Sequence, residues 1–245
     1  TYKIQVSGNS QLFQYVQFKD DDIGNLVRGA AGNQTLTTSD ADDFVEAGTG
    51  DDLIVSSLGN DFIDGGEGRD ALKYESTQSK DISLRKDGDA IVLDMGSKSD
   101  RLLGMERLQF DDKWVALDLD GGAGDAAKVI IAAFGSNSLE TYLGAGIGLA
   151  DSGSSMADLA NLVINNKDTL MPYSTPAEFV DIMFNNLLDR DANLLESVQF
   201  VGYLNDGLYT EAELLVLASE TSYAGAFMLG FAIDNVGLPY ESALV

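Results

Sequence analysis

The chain contains no cysteine and no histidine in its 245 residues. Without thiols there can be no disulfide and no thiolate chemistry, so any stapling must come from ions or packing. Without imidazole the usual zinc sites, the Ser-His-Asp triad and the commonest general base are all missing. Basic residues are scarce too: 15 Lys and Arg stand against 40 Asp and Glu, a formal net charge of −25. That balance offers no basic patch to neutralise phosphate, which argues against nucleic acid and, for the same reason, against anionic lipid. It also makes the folded chain repel itself, so divalent cations are the natural partners. Long apolar runs are lacking: the longest, 129–134 and 224–233, are too short to cross a bilayer, and no membrane insertion is expected. The opening residues, TYKIQVSG, do not read as a secretory signal. No H-E-x-x-H, G-x-S-x-G or Walker sequence occurs, and a non-catalytic chain is expected.

What is present is a repeat. From residue 20 to residue 73 the chain divides into nines: DDDIGNLVR, GAAGNQTLT, TSDADDFVE, AGTGDDLIV, SSLGNDFID and GGEGRDALK. The sixth position holds Asn25, Gln34, Asp43, Asp52, Asp61 and Asp70; the eighth holds Val27, Leu36, Val45, Ile54, Ile63 and Leu72. The fourth holds Gly32, Gly50, Gly59 and Gly68, with Ile23 and Ala41 in the other two copies. This is the pattern G-G-x-G-x-D-x-U-x, in which U is a large apolar residue. A short strand, x-U-x, points one apolar side chain inward. The six residues before it must turn sharply, and glycine permits the left-handed angles that such a turn needs. The aspartate adds a hard anionic oxygen. Calcium takes six to eight oxygens from carboxylates and carbonyls, more than one turn supplies, so two stacked turns must share each ion.

These residues resemble the repeats of RTX proteins, the toxins, proteases and adhesins exported by bacterial type I systems. The resemblance implies two nonapeptides per coil, with equivalent loops eighteen residues apart. Asp52 and Asp70 then stack on one side above Gln34; Asp43 and Asp61 stack on the other above Asn25. The best calcium site is expected between 47–52 and 65–70, with Gly48, Gly50, Gly66 and Gly68 in its loops. A weaker one is expected between 39–43 and 56–61, with Asp40 and Gly59, because Ser and Ala replace glycines there. Asn25 completes the expected ligand set, but Asn25 and Gln34 lack charge, so the first coil should bind calcium poorly. The resemblance also implies the type I secretion apparatus as a partner and a secreted, extracellular or cell-surface location in a Gram-negative bacterium.

The rest of the chain divides by composition. Residues 1–19 alternate enough to supply N-terminal capping strands. Residues 74–120 read as a β capping region, with strands over 71–75, 81–86, 89–95, 101–112 and 113–119 and a hairpin turn at Asp87-Gly88. Glu106 and Arg107 are expected as an exposed ion pair. Gly121, Gly122, Ala123 and Gly124 read as a hinge. Beyond them, 121–245 turns helical, with helices expected over 125–134, 138–150, 155–165, 175–189, 194–205, 210–219 and 222–235. Thr175 before Pro176, and Thr210 with Glu213, are helix-start signals. Residues 179–221 are similar to a helical domain of unknown function found beside RTX repeats, through Asp189, Arg190, Asp191, Asn193 and Gly207; residues 126–165 look like a worn copy. Asp189, Asp191 and Asn193 begin like an EF-hand, but Leu194 and Phe200 stand where Gly and Glu belong, and an Asx-capped turn is expected. Asp118, Asp120 and Asp125 flank the glycines as an acidic hinge or a lone calcium site. Gly144, Gly146 and Gly148 lack the preceding strand of a dinucleotide loop. The end, LPYESALV, fits an uncleaved export signal.

The fold class expected is therefore α+β and multi-domain: a parallel β-roll (20–73) with a capping β region, then an all-α helical domain. The function expected is a calcium-binding, non-catalytic C-terminal module of a secreted protein that folds on extracellular calcium. Two alternatives stand beside it. One is an adhesin or surface-layer segment whose helices bind a cell-surface partner or self-associate; the other is an accessory module of a secreted polysaccharide-acting enzyme or protease.

Overall fold

A computed structural model describes residues 24–241, together with the backbone of two short segments nearer the start. Those segments, β1 (Ile4–Gln5) and β2 (Gln17–Phe18), pair antiparallel. The remaining residues of the expected N-terminal strands, and the last four of the expected export signal, lie outside the described residues. The chain divides into two compact units, Thr1–Asp118 and Leu119–Val245.

In the first unit each nonapeptide contributes one strand: β3 (Leu26–Arg28), β4 (Thr35–Thr37), β5 (Phe44–Thr49), β6 (Leu53–Ser56), β7 (Phe62–Glu67) and β8 (Ala71–Tyr74). Odd and even strands go to different sheets, so parallel partners are two repeats apart: Val27 lies beside Val45 and Val45 beside Ile63, while Leu36 lies beside Ile54 and Ile54 beside Leu72. The eighth-position side chains Leu36, Val45, Ile54, Ile63 and Leu72 are buried, which is the inward face that the x-U-x strand requires. Phe44 stacks on Phe62 with ring centroids 4.8 Å apart, an outward pair in the same register.

Five further strands follow: β9 (Ser83–Asp87), β10 (Ala90–Met95), β11 (Lys98–Leu103), β12 (Arg107–Gln109) and β13 (Trp114–Ala116). One sheet runs β3-β5-β7-β11-β10-β9, and the other includes β4-β6-β8-β12-β13 in adjacent order. Both sheets are mixed. The parallel order extends one strand beyond the repeats, to β11 and β12, and then becomes antiparallel. Pairing inside the repeats is thus parallel, while the expectation of a parallel roll is corrected for the sheets, which are mixed. The physical reason is the connection: a further parallel strand needs a long crossover, whereas a tight turn delivers an antiparallel one. Gly88 and Gly96, at φ +65° and +62°, make those turns on either side of β10.

The second unit holds eight helices among the described residues: α1 (Gly122–Phe134), α2 (Leu139–Asp151), α3 (Met156–Asn165), α4 (Lys167–Leu170), α5 (Pro176–Leu188), α6 (Leu194–Asn205), α7 (Glu211–Ser219) and α8 (Ser222–Phe231). A short strand, β14 (Leu238–Tyr240), follows them. α1 is buried along most of its length, including Ile130 and Ile131. The expected hinge is instead the start of α1: a Cβ on Gly124 would fall 1.8 Å from the Leu119 carbonyl oxygen, so glycine is there for close packing. Gly146 sits mid-helix in α2, where an added Cβ would meet Ile130 Cδ1 at 3.0 Å. Capping boxes at Thr175/Glu178, Asn193/Glu196 and Thr210/Glu213 start α5, α6 and α7. Asn193 thereby does the work of a helix cap, and Arg190 holds Glu196 through two N–H donors at 2.7 and 2.8 Å. The turn at 189–193 is an Asx-capped connection.

Candidate calcium sites

The loops that precede the strands stack in two rows, and each row is tied by one recurring hydrogen bond. The backbone N–H at position six donates to the carboxylate at position six of the next coil. In one row Gln34 N–H donates to Asp52 Oδ1 (2.7 Å), Asp52 N–H to Asp70 Oδ1 (2.8 Å) and Asp70 N–H to Glu106 Oε2 (2.8 Å). In the other Asn25 N–H donates to Asp43 Oδ1 (2.5 Å), Asp43 N–H to Asp61 Oδ1 (2.9 Å) and Asp61 N–H to Asp100 Oδ1 (2.8 Å). One oxygen of each carboxylate therefore serves the backbone ladder and the other remains for something else.

For three residues that second oxygen has no hydrogen-bond donor. Asp52 Oδ2, Asp61 Oδ2 and Asp70 Oδ2 are buried and unpaired by hydrogen bonds, with only the Lys98 ammonium 3.5 Å from Asp61 Oδ2. A buried anionic oxygen with no donor is costly unless a cation meets it. Burial pushes the Asp61 and Asp70 carboxyls up to about 6 and moves Asp52 in the same direction. Burial also raises Glu106. Carboxylates in this state are poised to exchange a proton for a metal ion. Among the described residues no three carboxylates converge on one point, so an ion here must complete its shell from carbonyls and water. Calcium accepts that donor set; zinc, with no His or Cys available, does not. The residues fit the ion.

The glycines make the stacking possible. Gly66 has φ +95°, and a Cβ on it would lie 1.9 Å from the Gly48 carbonyl oxygen; Gly68 has φ +135° and would meet Gly50 O at 2.2 Å. The loops 47–52 and 65–70 are in backbone contact, which brings Gly48, Gly50, Gly66 and Gly68 together with Asp52 and Asp70. Gly59 lies over Ala41 in the other row. Three expected ligands are placed differently. Asp43 is closed by its own loop, with Ser39 N–H donating to Oδ2 and the Ser39 hydroxyl to Oδ1. Asp40 is exposed and accepts the Ser57 hydroxyl at 2.6 Å. Asn25 is buried and its amide donates to Ser39 Oγ at 2.9 Å. In the first coil Gln34 fills its own loop: its amide nitrogen donates to Ala30 O (2.8 Å) and Gly32 O (2.9 Å).

Several participants escaped the reading of the sequence. Asp100 and Glu106 continue the two rows after the repeats, because Leu102 pairs beside Ile63 and Leu108 beside Leu72. A signal was there: MGSKSDRLL (95–103) keeps Gly at two, Asp at six and Leu at eight, and RLLGMERLQ (101–109) keeps Gly at four, Glu at six and Leu at eight. Position five carries a second ladder that runs the opposite way. Asp51 N–H donates to Asn33 Oδ1 and Arg69 N–H to Asp51 Oδ1, both at 2.9 Å, and Asn60 N–H donates to Asp42 Oδ1 at 2.7 Å. The expected exposed pair of Glu106 and Arg107 is overturned: the Arg107 side chain is 3% exposed and is ion-paired with Asp118, while Glu106 receives the Asp70 N–H. Asp118 is thereby engaged, and Asp125 lies 3.7 Å from Lys128.

Two short-period sheets, a buried apolar column and two rows of half-satisfied carboxylates define a calcium-binding repeat module. The pattern of the RTX calcium-binding nonapeptide repeat matches residues 28–63 and 37–72, four copies, so this stretch of the chain carries RTX repeats. No curated protein matches the chain. Among solved structures it is similar to the extracellular lipase LipA from Serratia marcescens, at 19% identity and a TM-score of 0.32 over 36% of this chain and 17% of the lipase. The aligned part is thus under a fifth of that enzyme's length.

Proposed function

We propose that this chain is a calcium-dependent, non-catalytic folding module of a secreted protein, in which the repeats wind as a β-roll around shared calcium ions. The observation that carries the reading is the pair of buried, donor-less oxygens on Asp52 and Asp70. Where calcium is scarce these charges oppose winding, and a loose chain suits passage through a type I exporter. Outside the cell, extracellular modules bind calcium with dissociation constants on the order of 10⁻⁴–10⁻³ M. At about a hundred times the dissociation constant, each independent site adds ~2.7 kcal/mol to folding, a large share of the stability of a domain. The test is thermal melting followed by circular dichroism, in calcium and in chelator, on the chain and on Asp52→Ala/Asp70→Ala. A calcium-induced gain in strand signal and melting temperature, absent from the variant, supports the reading. Indifference to calcium would sink it.

A second reading, a binding role for the helical unit, is favoured by one feature. α6 has no buried residue, and its Leu194 and Leu195 are about four-fifths exposed. Beside it Phe184, Phe200, Leu214 and Tyr223 line an apolar groove of ≈ 330 Å³. Such a surface suits self-association or a cell-surface partner. A sedimentation series in calcium that shows one unchanging monomer at all concentrations would remove the self-association arm.

A further inference from the structure

The row that ends at Asp100 contains a lysine at position four, where Gly32, Gly50, Gly59 and Gly68 stand in four of the repeats. Lys98 lies at the register position of Gly59, since Leu102 pairs with Ile63, and it corresponds to Gly50 and Gly68 in the other row. Its side chain is 13% exposed and turns into the space between the loops 56–61 and 95–100. There the ammonium donates to the Ser57 carbonyl oxygen and, at 2.7 Å, to Ser56 Oγ. It lies 3.2 Å from Asp100 Oδ2 and 3.5 Å from Asp61 Oδ2. The Tyr74 hydroxyl donates to Asp100 Oδ2 at 2.8 Å and closes the far side. The contacts are two position-six carboxylates from neighbouring coils, and the position-one hydroxyl and position-two carbonyl of the lower loop. Gln34 engages the same carbonyl position, Ala30 O, in the first loop of the other row.

We propose that Lys98 is a tethered cation occupying a divalent-cation seat between the loops 56–61 and 95–100, so that this end of the row closes without metal. An ammonium and a calcium ion seek the same partners, which are hard oxygens carrying negative charge. The difference is that the lysine is present at every calcium concentration. The last rung of the row is therefore formed before calcium arrives and gives the metal-dependent coils a finished surface on which to stack. Removing the side chain leaves Asp61 Oδ2, Asp100 Oδ2, Ser57 O and Ser56 Oγ facing one another, an oxygen set that calcium can complete with water.

The inference rests on the repeats binding calcium, and one titration separates the two. Calcium stoichiometry is measured by calorimetry and by native mass spectrometry on the full chain, on Lys98→Ala, on Lys98→Gln and on Lys98→Ala/Asp100→Asn. Lys98→Ala is expected to bind one calcium ion more than the native chain. Lys98→Gln, which keeps an N–H donor of the kind Gln34 uses, should keep the native number, as should the double variant. If Lys98→Ala folds only in millimolar calcium, while Lys98→Gln folds in chelator, the seat is equally supported. A Lys98→Ala chain with native stoichiometry, or one that calcium cannot refold although Lys98→Gln is folded, overturns the proposal. A native chain that binds no calcium at all overturns the reading of the repeats beneath it.

Discussion

At the scale of the residue, Asp52 and Asp70 each have two jobs. In each, Oδ1 holds the backbone N–H of the coil before it, and Oδ2 faces a space with no donor. The two jobs predict opposite responses to one substitution. Asp70→Asn removes the buried charge but keeps an oxygen for the Asp52 N–H, so in chelator the variant should melt no lower than the native chain. In calcium it should melt lower, because the metal loses an anionic ligand; paired melts in the two media check the crossing. Protons report the same physics. Asp61 and Asp70 have folded-state values of about 6, above the unfolded 3.8. Between those values the calcium-free fold binds more protons than the unfolded chain, so its stability falls as pH rises through the window. Carboxylates shifted downward, such as Glu196 at about 2 against 4.5 unfolded, oppose this effect only near and below their unfolded values, so the comparison belongs above them. Melts in chelator at about pH 5 and about pH 7.5 should therefore show the higher midpoint at about pH 5. The position-six aspartates were legible because a carboxylate recurring beside glycines has few other uses. Lys98 and Arg107 were not, because the identity of a basic residue does not say whether it faces water or a buried carboxylate.

Among the elements, turns and helices were readable for different reasons. The glycines of the loops answer to backbone contact eighteen residues away: Gly66 has both a left-handed φ and the Gly48 carbonyl where a Cβ would go. Gly66→Ala should cost at least about 2 kcal/mol, measured by denaturant unfolding in calcium. Gly202, in α6, has nothing within 4 Å of its Cβ direction and no unusual φ. Gly202→Ala should instead stabilise the helical unit by roughly 0.5–1 kcal/mol. The helices were legible because caps and apolar spacing are local; Thr175, Asn193 and Thr210 each mark a start within a few residues. α4, only Lys167–Leu170, is too short to show a period. The strands β11 and β12 were legible as strands but not as continuations of the repeat. Their partners lie 39 and 36 residues back along the position-six ladder rather than 18, because the chain from 75 to 95, with β9 and β10, intervenes. A pattern sought at one spacing stops where a hairpin is inserted, although the pairing itself continues.

For the whole molecule, the sites and the helices belong to different units. Every carboxylate of the two rows lies in Thr1–Asp118, while the eight described helices lie in Leu119–Val245. The single tryptophan, Trp114 in β13, belongs to the first unit. Its fluorescence therefore reports the unit that holds the sites, while the helical far-ultraviolet signal reports chiefly the other. If calcium contributes ~2.7 kcal/mol per site, and about 1 kcal/mol moves the midpoint of a domain this size by roughly 4 °C, one site should raise the Trp114 transition by on the order of 10 °C. The helical transition should move by much less, since no carboxylate of the rows lies in that unit. A single scan in calcium and in chelator, read by both signals, decides the matter. A divergence of the two midpoints on chelation is the expected result and would mean that calcium governs winding of the repeats alone. Midpoints that shift together by the same amount would mean that the two units melt as one cooperative body, with the energy of the ions distributed over the helices as well.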